Sequence, residues 1–471
     1  MKNKLVYKYI GKVLLAFASL MMFPMIVCVI YKENAIPFFV PALLSLFLGA
    51  LLNSIKLKNK TVYAKDGFII VALSWIIISI IGALPIFFNG DASFIDSLFE
   101  AVSGLTTTGA SIFKDVELLN KGILFWRSFM HFIGGMGVIA FVMAVIPLAS
   151  NDKSMHLLKA EMPGHSVSKL VPGIRKTLFY LYGIYIFLTC FEMILLLIGG
   201  LPFFESLLTA LSTAGTGGFA TLNSSIYSYS LFNRYVVAIF MFLFGVNFNI
   251  YFLILMKDVK NALKSEELRV YIGLFIFAVL FIFINTVNTF NSISLAFSES
   301  FFHVSSIMTS TGFSVGDINF YSTPCRILFL VLMIISASSG STCGGFKLSR
   351  LIILLKTIKR EILKAIHPNS VRVVTFENKK VEENTVRNTC LYLLLYAILM
   401  VSIMFIISFD KVNFSQAVNA TFTTFANVGL CFDISNFADF SNLSKLVLSI
   451  SMLLGRLEIF PIIVLFSDLK K

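Results

Sequence analysis

Four short segments of this 471-residue chain share one arrangement of small and hydroxyl-bearing residues that suits the binding of a dehydrated cation. They read FIDSLFEAVSGLTTTGAS, FFESLLTALSTAGTGGFA, AFSESFFHVSSIMTSTGFS and FSQAVNATFTTFANVGLCF, and they align on Gly109, Gly218, Gly312 and Gly429. Six positions before each glycine stands Ser103, Ser212, Ser306 or Thr423. A small cation that sheds its water needs a ring of oxygens in exchange. Backbone carbonyls can supply that ring where the chain takes a conformation that glycine tolerates. The candidate donors are Thr107, Thr108 and Gly109 with Ala110, and Thr216, Gly217 and Gly218 with Phe219. The other two sets are Ser310, Thr311 and Gly312 with Phe313, and Asn427, Val428 and Gly429 with Leu430.

None of these segments crosses a bilayer alone, because a spanning helix needs about 20 apolar residues. Each is amphipathic, interrupted by polar residues such as Asp96, Glu100, Glu205 and Glu299, and followed by a glycine turn. The pattern predicts re-entrant helices, since non-helical backbone at membrane depth survives only where it is buried or lines water. Each short helix then aims the partly negative end of its dipole at a common centre, which favours cations. For any single turn the alternative is close helix packing through small residues. Four turns at one position of four repeats favour a shared pore on a pseudo-fourfold axis, because packing alone gives no reason for the recurrence.

The elements that hold these turns must be membrane spans. Hydrophobic residues make up 57% of the chain and charged residues 13%, and the mean hydropathy is +0.88. That is more apolar surface than one soluble core hides. Ten spans are expected, centred in residues 8–30, 37–55, 67–90, 122–148, 177–200, 232–256, 269–290, 325–357, 388–408 and 444–466. They recur along the whole length, against a signal peptide, a single anchor or a large soluble domain. The first two form an N-terminal helix pair in residues 1–60. The other eight fall into pore repeats at 61–150, 151–260, 261–360 and 361–471, each a span, a short helix, a turn and a second span. The expected fold class is therefore an all-α polytopic membrane protein.

An even number of spans puts both termini on one side of the membrane. Of the 38 Lys and Arg residues, 29 fall on the segments of that side, which makes it the cytoplasm. The net charge of +13 follows from this topology and an anionic inner leaflet, so no nucleic-acid partner is expected. The six cysteines show no paired spacing, and no covalent cofactor, disulfide framework or zinc site is expected. His131 and His303 read as satisfied interior or loop residues rather than metal ligands.

The eighth span is interrupted by SASSGSTCGGFK at residues 336–347, where seven of twelve residues are Ser or Gly. A helix there is weak. The segment, with Gly340, Ser341, Thr342, Cys343, Gly344, Gly345 and Lys347, reads as an intramembrane loop that gates the path below the turns. A Gly/Ser helix-packing face, with Gly340 and Gly344 at GxxxG spacing, is the alternative. In the last span Arg456 lies amid apolar neighbours, where an unpaired charge costs at least about 2.5 kcal/mol. It can face the pore as a barrier to cations, pair with Glu458 or another acid, or snorkel, and the pore-facing role is favoured. Trp126 and Arg127, at the start of a span, read as interfacial anchors.

An enzyme is not expected, since HExxH, GxSxG and paired carboxylates are missing, and neither GGMGV nor GGFK is a nucleotide loop. A carrier with alternating access predicts two inverted halves, whereas these four repeats share one orientation. The charged stretch 356–387 reads as a partner's docking surface or as a solvated loop.

Beyond these readings, the chain resembles the TrkH family, the membrane subunits of bacterial Trk-type potassium uptake systems within the Trk/Ktr/HKT superfamily. The resemblance runs through SLFEAVSGLTTTGAS, WRSFMHFIGGMGVI, AEMPG, KLVPGIRKT, STAGTGGF, SSIMTSTGFS, GSTCGGFK, FTTFANVG and GRLEIF. It implies four M1-P-M2 repeats, a homodimer in the bacterial inner membrane, K+ bound at the filter residues named above, and gating by the broken-helix loop beside Arg456. It also implies a TrkA-type cytoplasmic regulatory subunit that carries the nucleotide, NAD or ATP/ADP. Cys343 stands where the family usually has glycine, and Leu430 and Cys431 stand where proline and glycine are common. Glycine at position 109 is the variant that goes with potassium preference.

Overall fold

A computed structural model describes residues 3–56, 64–148, 174–290, 292–434 and 436–468. The AEMPG motif at 160–164 and the start of KLVPGIRKT lie outside the described residues. Apart from one short hairpin, β1 (Thr375–Phe376) and β2 (Lys379–Lys380), the regular structure among the described residues is helical.

The N-terminal pair is α1 (Asn3–Leu20), α2 (Met22–Tyr31) and α3 (Ile36–Asn53). Helices α1 and α3 pack through glycine: a β-carbon on Gly11 would stand 2.9 Å from the Gly49 carbonyl oxygen, and one on Gly49 would stand 3.0 Å from that of Gly11. Ser45 Oγ donates to the Leu14 carbonyl across the same seam at 2.9 Å. Small residues allow this approach in lipid, where no hydrophobic drive presses helices together.

Four long helices open the four repeats: α4 (Ala64–Asn89), α7 (Ile174–Ile198), α12 (Glu266–Thr286) and α16 (Glu383–Ile407). Each is followed by a short helix, α5 (Phe94–Leu105), α8 (Phe203–Gly215), α13 (Ile293–Met308) and α17 (Phe414–Phe425). The short helices hold 12, 13, 16 and 12 residues. At about 1.5 Å per residue they reach about 18–24 Å, less than the roughly 30 Å of a hydrocarbon core. The outer faces of the long helices expose Phe187, Ile284 and Phe405, as α3 exposes Phe47, the apolar surface expected against lipid. The C-terminal halves of the short helices are buried inside the molecule.

The second span of the first repeat, α6 (Lys121–Leu148), is one helix of 28 residues, whereas the other three are broken. Helices α9 (Leu231–Phe244) and α10 (Phe248–Leu255) meet at 89°, and the short α11 (Val259–Leu263) follows. Helices α14 (Thr323–Ile335) and α15 (Leu348–Ile366) flank the loop 336–347, and α18 (Asn442–Arg456) and α19 (Phe460–Asp468) flank residues 457–459. Continuous spans at 232–256 and 444–466 were expected, so two of these breaks are corrections. In one, Asn247 restarts the helix by accepting from Asn249 N at 3.0 Å. In the other, Glu458 and Ile459 take left-handed φ values of 60° and 63°, which no α-helix accommodates. The loop 336–347 is not a helical GxxxG face, because Gly340 and Gly345 have φ values of 70° and 79°.

The charged stretch 356–387 begins in α15 and is tied to the rest of the molecule at its hairpin. Lys356 Nζ donates to the Thr375 carbonyl at 2.8 Å and pairs with Glu266. The Glu377 carboxylate accepts from Ser265 Oγ at 2.7 Å and Glu267 N at 3.1 Å. These bonds pin the hairpin to the start of α12.

Candidate ion filter and gate

Each short helix starts and ends by an identifiable device. Ser93 caps α5 by accepting from Asp96 N, and Asn413 and Gln416 form a reciprocal capping box on α17 with bonds of 2.8 and 3.0 Å. At the C-terminal ends the backbone turns left-handed twice in three residues. Thr107, Thr216, Ser310 and Asn427 have φ values of 56°, 55°, 53° and 56°, and Gly109, Gly218, Gly312 and Gly429 have 82°, 76°, 82° and 80°. Left-handed backbone costs a non-glycine residue about 1–3 kcal/mol, so other bonds must hold it.

Those bonds explain the spacing of six. The residue six before each glycine accepts a backbone bond at its carbonyl, from Thr108 N to Ser103 (2.8 Å), Gly217 N to Ser212 (3.0 Å), Thr311 N to Ser306 (2.8 Å) and Val428 N to Thr423 (2.9 Å). In three repeats its hydroxyl also donates past the glycine, to the carbonyls of Phe219 (2.8 Å), Phe313 (2.6 Å) and Leu430 (2.9 Å). One residue thus clamps the turn at both ends.

The four turns meet in a closed ring. A β-carbon on Gly109 would stand 1.9 Å from the carbonyl oxygen of Gly217, and one on Gly218 would stand 2.0 Å from that of Thr311. One on Gly312 would stand 1.9 Å from the Val428 oxygen, and one on Gly429 would stand 2.1 Å from that of Thr108, which returns the ring to the first turn. Each oxygen belongs to the residue before a ring glycine. Glycine is therefore required here for close approach as well as for φ. Asn427 Nδ2 ties the fourth turn to the first through Thr108 Oγ1 at 2.9 Å.

On one side, the loops that follow the turns are joined in the same cyclic order. Val116 N donates to Asn223 Oδ1 (2.8 Å), Ile226 N to the Ser314 carbonyl (3.2 Å), Asp433 N to Asn319 Oδ1 (3.1 Å), and Phe437 N to the Ser111 carbonyl (3.3 Å). They surround a cavity of about 290 Å³ that all four ring glycines line, together with Arg127. Arg127 and Trp126 are not interfacial anchors: they are 2% and 0% exposed. Trp126 Nε1 donates to the Gly82 carbonyl at 3.0 Å. Arg127 Nε donates to Glu100 Oε1 at 2.8 Å, and Glu100 Oε2 accepts from Ile112 N at 2.9 Å.

On the other side lies the loop 336–347. Gly344 N donates to Ser310 Oγ at 2.9 Å, and a β-carbon on Gly344 would stand 2.9 Å from the Ala426 carbonyl oxygen. Arg456 Nη1 donates to the Thr342 carbonyl at 2.6 Å and Nη2 to that of Gly134 at 3.0 Å. Its head is buried, so it does not snorkel. Glu458 instead pairs with Arg350 at 2.5 Å. Lys347 Nζ donates to the Cys343 carbonyl, closing a tight turn. The loop also interlocks with the break after α9: Ser338 N donates to the Gly245 carbonyl and Phe248 N to that of Gly340, both at 3.2 Å.

The twelve candidate filter residues all lie on the converging turns, and the eight candidate gate residues all lie on or against the loop beneath. The sequence reading did not find Glu100 as the partner of Arg127, although two charges in neighbouring apolar helices called for pairing. It also missed Glu267, whose carboxylate accepts from Ser339 N (2.7 Å) and Asn247 Nδ2 (3.3 Å) and so holds both breaks. No local signal marked it, since it sits among the other charges of the segment 257–269. Among the described residues no group of His, Cys, Asp and Glu could hold a metal ion.

Residues 38–470 match the family model TrkH, described as cation transport protein. The chain is 32% identical to the Trk system potassium uptake protein TrkG of Escherichia coli over 460 residues, covering 94% of this chain and 93% of that one. It is 30% identical to TrkH of Salmonella typhimurium over 480 residues, covering 99% of each. The crystal structure of the potassium transporter TrkH from Vibrio parahaemolyticus superposes with a TM-score of 0.88 at 27% identity, covering 99% of this chain and 98% of that one.

Proposed function

The chain belongs to the TrkH family of cation transport proteins, which are not enzymes, and on that premise we propose that it takes up potassium across a bacterial inner membrane. The observation that carries this reading is the closed cycle in which each ring glycine receives the carbonyl of the next turn. Carbonyls gathered this way replace the water of a cation, and the buried ends of four short helices add negative potential at the same place. On this reading Thr107–Gly109, Thr216–Gly218, Ser310–Gly312 and Asn427–Gly429 bind K+ through their backbone.

The loop from Gly340 to Lys347 then acts as the gate, and Arg456 holds it across the path while opposing cations with its own charge. Its bonds to Thr342 and Gly134 support this role. Both termini face the cytoplasm, where the positive-inside bias puts them. The protein works as a homodimer with a TrkA-type regulatory subunit. That partner carries the nucleotide, NAD or ATP/ADP, and docks on the folded segment 356–387. A carbonyl route closed by a loop supports gated passage, which single-channel current in a planar bilayer tests against obligate coupling to protons or sodium.

The decisive experiment is rescue of a potassium-uptake-deficient bacterium at low external potassium, with the regulatory subunit supplied. The unsubstituted chain restores growth and Gly312→Ser does so poorly. Failure of the first, or equal growth with the second, defeats the assignment.

A further inference from the structure

One histidine stands directly behind the ring. His131 lies on α6, one turn after Arg127, and is fully buried. A β-carbon on Gly217 would fall 2.3 Å from both its Cγ and its Nδ1, so the imidazole lies against the α-carbon of the residue whose carbonyl approaches Gly109. Its ring also stacks on Phe219, with centroids 4.2 Å apart and planes 22° apart. Phe219 also meets the Arg127 guanidinium, whose Cζ is 4.1 Å from the ring centroid. Phe219 follows the ring glycine Gly218, so α6 of the first repeat grips both sides of the second turn.

The hydrogen bonds decide which nitrogen carries the proton. Ser212 has a single hydroxyl hydrogen, which it gives to the Phe219 carbonyl at 2.8 Å. The contact between His131 Nδ1 and Ser212 Oγ at 3.1 Å must therefore be donation from Nδ1–H. His131 Nε2 has no partner among the described residues. The chain Nδ1–H to Ser212 to the Phe219 carbonyl is a relay whose far end is the exit of the second turn.

The other seams lack this device. The second spans of the remaining repeats carry Arg234, Arg326 and Lys445 in their first turns, and the residues four further on are Ala238, Leu330 and Ser449. We propose that His131 is a positioning residue that sets the discrimination of the ring between potassium and sodium, by bracing Gly217 and Phe219 and by donating to Ser212.

This rests on the potassium-transport reading, and the test separates the two. Uptake by the unsubstituted chain answers for transport, whereas thermal stabilisation of the purified full-length protein by K+ over Na+ answers for His131 whether or not ions pass. His131→Phe keeps a ring against Phe219 but removes the donor, while His131→Asn places an amide N–H where Nδ1–H was. The preference of the protein for K+ over Na+, read by both titration and competitive flux in proteoliposomes, falls about three- to tenfold in His131→Phe, the range expected for one buried hydrogen bond. It stays near the unsubstituted value in His131→Asn. An unchanged preference in His131→Phe, or an equal fall in both variants, overturns the proposal.

Discussion

The guanidinium of Arg456 donates to two carbonyls and, among the described residues, pairs with no acid, which leaves its charge uncompensated beside the loop 336–347. A unit charge about 5 Å from a passing cation opposes it by roughly 3 kcal/mol at an effective dielectric of about 20. Arg456→Ala is therefore expected to raise cation flux tenfold or more in proteoliposomes while the protein stays folded. Equal flux from the two proteins would show that the residue only packs. The residue six before each ring glycine teaches a related point. Its spacing is plain in the sequence, but its purpose, a clamp on both ends of the turn in three of the four repeats, emerges only from the hydrogen bonds.

Helices α5 and α6 are joined by the Arg127–Glu100 pair, whose side chains are 2% and 0% exposed. Removing one partner of such a pair strands the other charge and costs about 3–5 kcal/mol, more than the pair itself contributes. Glu100→Leu or Arg127→Met alone is thus expected to lower the thermal unfolding midpoint sharply. The double variant loses clearly less than the sum of the two. Strict additivity in a double-mutant cycle would mean that the two residues act separately. The breaks in three second spans belong to this scale as well. The one at 336–347 is legible because Ser and Gly crowd together, whereas those at 245–247 and 457–459 occupy only three residues each within apolar helices.

For the whole molecule the repeats share one centre, so damage to any ring glycine should be felt alike. Gly109→Ala, Gly218→Ala, Gly312→Ala and Gly429→Ala each force a methyl group to within about 2 Å of a neighbouring carbonyl oxygen. Overpacking destabilises the folded state by about 1–3 kcal/mol, so each variant is expected to lower the thermal unfolding midpoint and to reduce potassium flux. A single variant with full activity would break the cyclic equivalence. The loops on the cavity side, bonded in the same order, imply that the ring is held as a unit.

The apolar helices, the short helices and the four glycine turns that carry the candidate filter residues were legible in the sequence, whereas the breaks in the spans expected at 232–256 and 444–466 were not. Each legible element depends on local length, hydropathy and the conformational freedom of glycine, and fourfold recurrence amplified a signal that is weak in one copy. The tertiary structure alone decided which carbonyl meets which glycine, that Arg127 turns inward to Glu100, that Glu267 ties two breaks together, and that His131 backs the second turn. These contacts join residues far apart along the chain, and buried charge and close approach carry no periodicity. A single strand of letters cannot show what only the closing of the ring brings within hydrogen-bonding distance.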